Sequence, residues 1–404
     1  MSDSKLRIGL FGLGTVGQGF LRVISIARNA HAEIVRICVR NPSKRRDVFV
    51  DPALITTNPD DILSDPSINL IVEVVDDAEA AWSIVSTALE RGIPVVSGNK
   101  AMIARRLPEL IELQKKSGAA LLYEASSCGS IPVIRNLEEY YDNDLLLEVK
   151  GILNGSSNYI LSRVFDHGED YASALAQAQA LGFAEADPSF DILGYDALFK
   201  LVIITLHALG VYVPPSDVFC RGIAAISDFD ISYAREKGMK IKLVAQVVKV
   251  APELFTLFVM PEFVSPSKYI YSVDDEYNGV VIRGECYDRQ FMFGKGAGAL
   301  PTASSILSDV MARRRNYRYE YKKMNYMGLP SYTDDVELEI YLRYTDEATV
   351  KALEFSSIDT MFKSPEASYV IGTVKLSHLR ANISELDRPD VFVCNIPRFF
   401  LDRD

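Results

Sequence analysis

The stretch LRIGLFGLGTVGQGFLRVISIA, residues 6–27, decides the fold of the N-terminal part of this 404-residue chain. Leu6 to Phe11 is apolar and has the length of a buried strand, and Val16 to about Ala27 has the apolar spacing of a helix. Between them lies a G-x-G-x-x-G pattern at Gly12, Gly14 and Gly17. A strand, a glycine-rich turn and a helix in this order predict the first βα unit of a parallel sheet.

Each of these glycines has a physical role in holding a dinucleotide. The first makes the turn, the second lets the backbone approach a pyrophosphate, and the third lets the helix pack on the strand. The start of the helix, at Thr15 and Val16, points unpaired N–H groups and the positive end of the helix dipole at the phosphates. We therefore predict dinucleotide binding rather than a merely structural turn.

Further apolar runs continue the alternation of strands and helices. Strand-like runs are Glu33 to Val39, Leu70 to Val75, Pro94 to Ser97 and Ala120 to Tyr123, and helical patterns are Glu79 to Arg91 and Leu107 to Ser117. This alternation predicts an α/β fold with a Rossmann-type, doubly wound parallel sheet. The alternation stops after about Ser130, and a mixed region that we expect to form an α+β substrate and dimerisation domain follows.

The C-terminal part has its own pattern. It reads as strand (Val336 to Tyr344), helix (Glu347 to Phe355), strands (Ser356 to Lys363 and Ser368 to Leu376), helix (Ser377 to Leu386) and strand (Asp390 to Cys394). That βαββαβ order predicts a small ferredoxin-like unit. We expect three domains: residues 1–134 plus about 303–318 for the cofactor, 135–302 for the substrate, and 334–404 at the C-terminus.

Composition narrows the choice of partners. The net charge of −11 disfavours nucleic acid and anionic membranes, because phosphate groups are bound by clustered Lys and Arg. The longest apolar stretch, Leu201 to Leu206, is far shorter than the roughly 20 residues that span a bilayer. Five cysteines without CxxC spacing argue against a disulfide framework and against zinc. We expect a cytoplasmic protein with a small-molecule substrate.

Basic residues follow the second strand, where NAD-specific folds keep a carboxylate for the ribose. Arg40 stands there, with Lys44 four residues later. Guanidinium and ammonium groups attract a 2′-phosphate, which a carboxylate would repel. We predict a preference for NADP(H), with NAD(H) as the second cofactor; a solvated basic loop is the alternative interpretation.

The stretch LGFAEADPSFDILGYDALFKL, residues 181–201, combines four carboxylates with one lysine at the start of an apolar helix. Asp196 and Lys200 are four residues apart and share a helix face. An exposed ion pair would be the ordinary explanation. The apolar neighbours of Lys200 instead predict a buried lysine, which needs a partner and acquires an adjustable pKa. We therefore interpret the pair as functional.

Two further segments complete the candidate site. SGNKA, residues 97–101, follows a strand and places Asn99 and Lys100 at its carboxyl end, where open α/β sheets bind ligands. GILNGSSNYIL, residues 151–161, is a polar loop with amide and hydroxyl donors between apolar flanks. On its own, this loop could be only a turn that caps a helix.

Together, these motifs resemble the homoserine dehydrogenase family, and GKGAGALPTAS at residues 294–304 extends the resemblance to about Val310. Five ordered motifs with the family's spacing are far more specific than a G-x-G-x-x-G alone. The resemblance implies a monofunctional, NAD(P)-dependent oxidoreductase that interconverts L-homoserine and L-aspartate 4-semialdehyde in threonine, methionine and isoleucine biosynthesis.

The resemblance also implies roles for single residues. Lys200 would be the acid/base at the substrate oxygen, with Asp196 holding it and Lys100 near the reacting carbon. The chemistry agrees, because hydride reduction of an aldehyde builds negative charge on oxygen that a lysine can neutralise and protonate. Substrate contacts would come from Glu185, Asp191, Asn154, Gly155 and Ser156, and further cofactor contacts from Asn99 and Gly298.

Some positions depart from the family pattern. Val75-Asp76-Asp77 replaces a glycine-containing turn and adds carboxylates near the expected cofactor site. The loop after Glu124 reads SCGS, residues 127–130, where relatives hold a monovalent cation (Na⁺ or K⁺) through carbonyl oxygens. The resemblance therefore carries over Glu124, Ser127 and Gly129 as candidate ligands.

The C-terminal unit resembles an ACT regulatory domain. Such domains bind amino acids at a turn after the first strand, where a glycine lets the backbone approach the ligand. This chain has RYTDEAT, residues 343–349, without a glycine and with two carboxylates. We therefore expect weak inhibition by threonine and a role in assembly, as a homodimer or higher homo-oligomer.

Two other functions stay open from the residues. One is a related lysine-dependent oxidoreductase acting on another small amino or hydroxy acid. The other is a catalytically weakened NADP-binding regulatory protein, which the carboxylates of Asp76 and Asp77 would favour.

Overall fold

The computed structural model of the chain describes residues 5–27, 29–184, 187–364 and 367–397. By its internal contacts the chain divides into two compact units: Met1–Asp142 with Lys295–Lys322, and Asn143–Gly294 with Lys323–Asp404. No helix among the described residues is both long and apolar enough to cross a bilayer. The three domain boundaries expected from the sequence stay a prediction.

The first unit is built on a six-stranded parallel sheet with the order β3-β2-β1-β4-β5-β6. Its strands are β1 (Leu6–Phe11), β2 (Ala32–Cys38), β3 (Ile55–Thr56), β4 (Leu70–Glu73), β5 (Val95–Ser97) and β6 (Leu121–Leu122). Its helices are α1 (Thr15–Ile26), α2 (Asp60–Leu63), α3 (Ala78–Glu90), α4 (Lys100–Ser117), α5 (Val133–Glu139) and, from late in the chain, α11 (Ala299–Arg313).

The apolar runs of this sheet explain its parallel arrangement. Ile8, Leu10, Val72, Val95 and Val96 are inaccessible to solvent, as expected for strands with helices on both faces. The strand order reverses between β1 and β4, and the carboxyl ends at such a reversal form the ligand crevice of doubly wound folds. The doubly wound parallel sheet predicted from the sequence is confirmed.

Helix α4 begins seven residues before the predicted helical pattern at Leu107. Asn99 caps it, because the side-chain oxygen of Asn99 accepts a hydrogen bond of 2.8 Å from the backbone N–H of Met102. Lys100 is consequently the first residue of the helix, three residues after the last residue of β5.

The second unit contains an eleven-stranded mixed sheet in the order β12-β11-β7-β9-β10-β17-β14-β16-β15, with β8 and β13 also paired to β10. The strands are β7 (Leu146–Ile152), β8 (Phe219–Cys220), β9 (Lys240–Ala251), β10 (Leu254–Val264), β11 (Tyr277–Gly284), β12 (Asp288–Lys295), β13 (Ser331–Tyr332), β14 (Glu337–Tyr344), β15 (Ser357–Lys363), β16 (Ser368–Lys375) and β17 (Phe392–Asn395). The helices are α6 (Gly155–His167), α7 (Tyr171–Ala180), α8 (Ser189–Ile192), α9 (Tyr195–Leu209), α10 (Asp228–Glu236), α12 (Glu347–Ala352), α13 (Leu376–Ala381) and α14 (Ile383–Leu386).

The C-terminal part has the predicted βαββαβ order, and its four main strands lie in the order β17-β14-β16-β15. These strands continue the larger sheet, because β17 pairs with β10 at Asn395 and Glu262. The single helix predicted over Ser377 to Leu386 is wrong in one respect, since α13 and α14 are separate. Asn382 lies between them, and its side-chain amide donates to the carbonyls of Ala352 and His378.

Candidate active site

Helix α9 carries the lysine and the aspartate that the sequence singled out. It begins after Gly194, whose φ of +92° is a conformation that favours glycine. The apolar residues around the helix bury it almost completely, and with it Asp196 and Lys200, which are 3% and 5% exposed. The pair is therefore not an exposed ion pair on a helix surface.

The Lys200 ammonium is held at two points. Its Nζ lies 2.8 Å from Oδ2 of Asp196 and donates a 2.6 Å hydrogen bond to the backbone carbonyl of Leu153. An ammonium has three N–H bonds. Two of them are held by these contacts with Asp196 and Leu153.

Asn154 links the start of α6 to the carboxylates of Asp191 and Asp196. Its side-chain oxygen caps α6 by accepting from the N–H of Ser157 at 2.8 Å. Its amide nitrogen donates to Asp191 at 2.7 Å and to Asp196 at 2.8 Å. The polar loop thus caps a helix and also brings two carboxylates together, and its role in substrate binding stays a prediction.

Asp191 has an unusual environment for a carboxylate. Burial raises its pKa, and the nearby charge of Asp196 raises it further, while hydrogen bonds from Asn154 and Ser156 and the charge of Lys200 oppose this shift. A nearby cation stabilises the charged form of a carboxyl group whose pKa is raised in this way. Asp191 is therefore suited to bind a substrate ammonium.

The start of α6 fits closely against the neighbouring chain. A Cβ on Gly155 would lie 2.7 Å from the carbonyl oxygen of Glu276, so only glycine fits there. The Ser156 hydroxyl donates to the carbonyl of Phe183. Glu185, the other predicted ligand of the substrate ammonium, lies outside the described residues.

Asn278 on β11 is part of this network and was not among the predicted site residues. It is fully buried, and its side-chain amide donates at 2.9 Å to the same Leu153 carbonyl that accepts from Lys200. Its side-chain oxygen accepts no hydrogen bond from any described protein group. A single asparagine before an apolar run was the available signal in the sequence, but only strand register places it beside Leu153.

In the first unit, the glycine-rich turn has the shape that a pyrophosphate requires. Gly12 has a φ of +96°, and a Cβ there would lie 2.6 Å from the carbonyl oxygen of Val74. A Cβ on Gly17 would lie 2.3 Å from the carbonyl of Gly12, whereas one on Gly14 would meet nothing within 4 Å. No side chain caps α1 at Gly14. The turn therefore leaves an open backbone face beside the helix start at Thr15 and Val16.

The basic loop after β2 presents Arg40 and Lys44 at the surface. The loop is held by Arg46, whose guanidinium donates to the carbonyls of Asn41, Pro42 and Lys44. Arg46 is therefore committed to loop structure, while the side chains of Arg40 and Lys44 are exposed.

The carboxyl ends of β4 and β5 are tied together by Glu73, which was also not among the predicted site residues. This buried carboxylate accepts from the N–H of Val75 at 2.7 Å and from the hydroxyl of Ser97 at 2.5 Å. The Asn99 side chain donates to the carbonyl of Val75 at 3.0 Å. Burial raises the pKa of Glu73 to about 7, although these hydrogen bonds lower it in part.

The carboxylates of the Val75-Asp76-Asp77 turn have different surroundings. Asp77 caps α3, because its side chain accepts from the N–H of Ala80 at 2.8 Å. Asp76 is exposed. The departure from the family pattern thus supplies a helix cap as well as charge.

The candidate cation ligands lie around a turn before α5. The two carboxylate oxygens of Glu124 accept from the N–H groups of Ile134 and Arg135, at 2.9 and 2.8 Å. Burial, with the charge of Asp309, raises the pKa of Glu124 to about 7. Gly129 has a φ of +53°, and its carbonyl accepts from the hydroxyl of Ser305. Among the described residues, no group of three or more His, Cys, Asp or Glu side chains is arranged for a metal.

Gly298 precedes α11, and its φ of +113° again favours glycine. No side chain caps this helix start. This helix start therefore resembles that of α1, because the first N–H groups of a helix have no hydrogen-bond partner within the helix.

Two family models match the chain. The model of the homoserine dehydrogenase NAD-binding domain matches residues 12–124, and the homoserine dehydrogenase model matches residues 132–311. The homoserine dehydrogenase of Synechocystis sp. is 38% identical over 314 residues, which are 76% of this chain and 72% of that protein.

Solved structures agree with these matches. The crystal structure of a homoserine dehydrogenase from Thiobacillus denitrificans has a TM-score of 0.81 and 30% identity, and covers 97% of this chain and 98% of its own. A hyperthermophilic archaeal homoserine dehydrogenase in complex with NADPH has a TM-score of 0.65 and 26% identity, covering 78% of this chain and 99% of its own. With matched models over most of its N-terminal three quarters and relatives above 30% identity, the chain belongs to the homoserine dehydrogenase family.

Proposed function

We propose that this chain interconverts L-homoserine and L-aspartate 4-semialdehyde with Lys200 as the acid/base. The observation that carries the proposal is the buried Lys200–Asp196 pair, in which Asp196 and the Leu153 carbonyl hold two of the three N–H bonds of the ammonium. A lysine that is held by one carboxylate and one carbonyl is preorganised, so little reorganisation is needed when charge develops on the substrate oxygen.

In the direction of reduction, Lys200 donates a proton to the oxygen of the aldehyde as it becomes an alcohol. A bound nicotinamide supplies the hydride, which no side chain can provide. Asp196 keeps the ammonium oriented and charged until the transfer. In the direction of oxidation, the neutral lysine accepts the hydroxyl proton. Lys100 is proposed to lie near the reacting carbon.

Substrate selection is assigned to carboxylates that pair with the amino group of the substrate. Asp191 is held by Asn154, and burial beside Asp196 raises its pKa, so an added cation would stabilise its charged form. Gly155 and Ser156 complete the substrate loop, and Glu185 is the second proposed ammonium ligand. An ammonium site favours an amino acid over the simple hydroxy acids of the alternative oxidoreductase.

The proposed cofactor is NADP(H), with NAD(H) as the weaker alternative. The backbone of Gly12, Gly14 and Gly17 fits a pyrophosphate, and Thr15, Val16, Asn99, Lys100 and Gly298 supply further contacts. Arg40 and Lys44 are exposed at the end of β2, where guanidinium and ammonium groups attract a 2′-phosphate. The archaeal relative in complex with NADPH supports this preference.

A monovalent cation is proposed at the turn of Glu124, Ser127 and Gly129. Sodium and potassium prefer oxygen donors, and backbone carbonyls of this turn are of that type. The carboxylate of Glu124 accepts from the N–H groups at the start of α5, so the proposed donors are backbone carbonyls. The Glu124 carbonyl also accepts from the N–H of Ser127 at 3.2 Å, and its second lone pair is the one that would face the cation.

The test is turnover of L-homoserine by the full chain with NADP and, separately, with NAD. We expect oxidation with both and a higher kcat/KM with NADP. Threonine, 4-hydroxybutyrate and L-serine are the comparison substrates, because they alter the side chain, remove the amino group or shorten the chain. Turnover of 4-hydroxybutyrate above homoserine would favour the alternative oxidoreductase, and cofactor binding without any turnover would favour the regulatory protein.

A further inference from the structure

A cavity lies within the second unit, and none of Lys200, Asp196 and Asn154 lines it. It is bounded by β7, β9, β10 and β11 of the sheet and by the start of β14 and the end of β17. Its volume of about 120 Å³ is roughly ten times what one water needs. It is smaller than the roughly 300–1,000 Å³ of pockets for drug-sized ligands, so the cavity suits a small molecule.

The floor of the cavity is a built polar cluster. Lys150 and Gln246 are direct cross-strand neighbours on β7 and β9. The Lys150 ammonium lies 2.6 Å from Glu262, which is 2% exposed. The Asn395 amide donates to the same carboxylate at 2.9 Å. Because Lys150 and Asn395 satisfy Glu262, this cluster is a fixed polar surface.

Gln246 is the exception in this cluster. Its side chain is 96% buried and lines the cavity, yet its carbonyl oxygen accepts no hydrogen bond from any described protein group. A buried acceptor is normally paired. The group that completes it therefore carries an N–H or O–H donor and enters the cavity.

The charges of the lining restrict the ligand further. The cationic lining residues are Lys150, Lys268, Arg283 and Arg289, and the anionic ones are Glu148, Glu262, Glu337 and Glu339. Four cations and four anions favour neither a pure anion nor a pure cation. A ligand with both an ammonium and a carboxylate matches both signs.

Part of the remaining lining is apolar. The walls beside the polar floor are formed by Val248, Ile270, Val281 and Leu338. Ile270 and Val281 belong to one buried apolar cluster of this unit. Apolar walls stabilise an apolar side chain and give nothing to a polar one.

We propose that this cavity is a binding site for a free α-amino acid with an apolar side chain. The ammonium of the ligand donates to Gln246, its carboxylate pairs with the cationic lining at Arg283 and Lys268, and its side chain packs on Val281 and Ile270. The site is separate from the proposed substrate site, because none of Lys200, Asp196, Asp191 and Asn154 lines it.

The test is isothermal titration calorimetry of the full chain with L-leucine, L-isoleucine, L-valine and L-methionine, each without cofactor. We expect at least one of them to bind with a Kd below about 1 mM. Isoamylamine is leucine without its carboxylate, and 4-methylpentanoate is leucine without its ammonium. We expect each of them to bind at least about tenfold more weakly than L-leucine.

Two variants locate the binding. Gln246→Leu removes the buried acceptor. Ser267→Trp fills the mouth of the cavity from an exposed loop position. One correctly folded variant of the two is enough for the test. Each weakens binding at least about tenfold. Asp191→Asn is the matched control in the substrate site and leaves this binding intact.

Three results would overturn the proposal. One is the absence of binding by all four amino acids up to about 10 mM. Another is unchanged binding in folded Gln246→Leu or Ser267→Trp protein. The third is loss of binding in Asp191→Asn, which would place the ligand in the substrate site. Homoserine turnover of the same preparations is measured in parallel, so failure of this site and failure of the proposed function are distinguished.

Discussion

A buried lysine becomes useful for catalysis only if its partners leave one direction unoccupied. We propose that Lys200 meets this condition, because Asp196 and the Leu153 carbonyl hold two of its three N–H bonds. In the proposed reaction, an amine that is held in this way is positioned to give a proton in reduction and to take one in oxidation.

Lys200→Ala and Asp196→Asn are expected to lower homoserine oxidation by about 10²- to 10⁴-fold in kcat, because both remove acid/base function. Cofactor binding, measured by NADPH fluorescence, is expected to persist, since the glycine-rich turn is untouched. Lys242→Met is the matched control for loss of a buried lysine, because Lys242 pairs with Asp274 outside the proposed site. It loses stability and keeps turnover. Near wild-type kcat in either folded site variant would show that the assigned roles are wrong.

Asn278→Leu tests whether the shared carbonyl positions the lysine. The substitution removes the donor to Leu153 without adding charge, and the remaining Lys200 contact then no longer has a fixed acceptor. We expect kcat to fall about tenfold with KM nearly unchanged, which corresponds to the roughly 1 kcal/mol of one hydrogen bond. Rescue by Asn278→Gln would support positioning. A change confined to KM would contradict it.

Arg40→Asp is expected to shift selectivity from NADP toward NAD. A charge-assisted hydrogen bond to a phosphate contributes about 1.5 to 3 kcal/mol, or roughly 10- to 150-fold in the ratio of kcat/KM values. The measurement is that ratio in wild type and variant, so each protein serves as its own control for overall activity. A wild type that already prefers NAD would refute the assignment of Arg40.

At the scale of elements, Glu73 links the ends of β4 and β5, close to the proposed cofactor contact of Asn99. Its pKa of about 7 is above the ordinary value of 4.5. Between these pH values the folded chain therefore binds more protons than the unfolded chain. The free energy of unfolding consequently falls as pH rises through this window, by roughly 3 kcal/mol from this group.

Glu73→Gln removes this titration while keeping one acceptor and one donor. We expect its free energy of unfolding to fall less between pH 5 and pH 8 than that of the wild type, by up to roughly 3 kcal/mol. Urea unfolding followed by the fluorescence of Trp82, the only tryptophan, reports on this unit. The same substitution at the exposed Glu90 is the matched control. An unchanged pH dependence in Glu73→Gln would mean that another group titrates.

Local elements could be predicted from the sequence because their signals are local. The β1–turn–α1 unit follows from apolar spacing and three glycines, and the C-terminal βαββαβ order follows from periodicity. The Lys200–Asp196 contact follows from a spacing of four on one helix. Their burial follows from apolar neighbours.

Contacts set by strand register could not be predicted in this way. Asn278 reaches Leu153 only because β11 pairs with β7, and Glu262 meets Asn395 only because β17 joins β10. These partners are 125 and 133 residues apart in the chain. Glu73 reads as the end of an apolar strand, and its ties to Val75 and Ser97 depend on how β4 and β5 align.

The turn after β14 illustrates a second limit. The carboxylates of Asp346 and Glu347 were expected to repel a ligand, and both have structural partners. Asp346 caps α12 through the N–H of Ala348 at 2.9 Å, and Glu347 pairs with Lys363. Weak inhibition by threonine stays a prediction. It rests on two features of this turn: both carboxylates already have structural partners, and no glycine lets the backbone approach a ligand.

At the scale of the whole molecule, the eleven-stranded sheet suggests how copies of the chain could assemble. The strand at one edge of this sheet, β15, is exposed at every residue. It carries three large, exposed apolar side chains, those of Ile358, Met361 and Phe362. An exposed edge strand presents unpaired N–H and C=O groups that can pair with another strand. We therefore expect two copies of the chain to associate through the β15 edges of their C-terminal units.

Met361→Lys places a charge on this edge, and we expect it to reduce the mass in solution from that of a dimer to that of a monomer. The physical reason is that a charged side chain would have to be desolvated between two paired edges. Phe293→Lys is the matched control, because it puts the same charge on an exposed apolar residue of β12, at the opposite end of the sheet. Light scattering after size-exclusion chromatography measures both. A dimer that persists in Met361→Lys but is lost in Phe293→Lys would place assembly at the β12 edge and leave the C-terminal unit without that role.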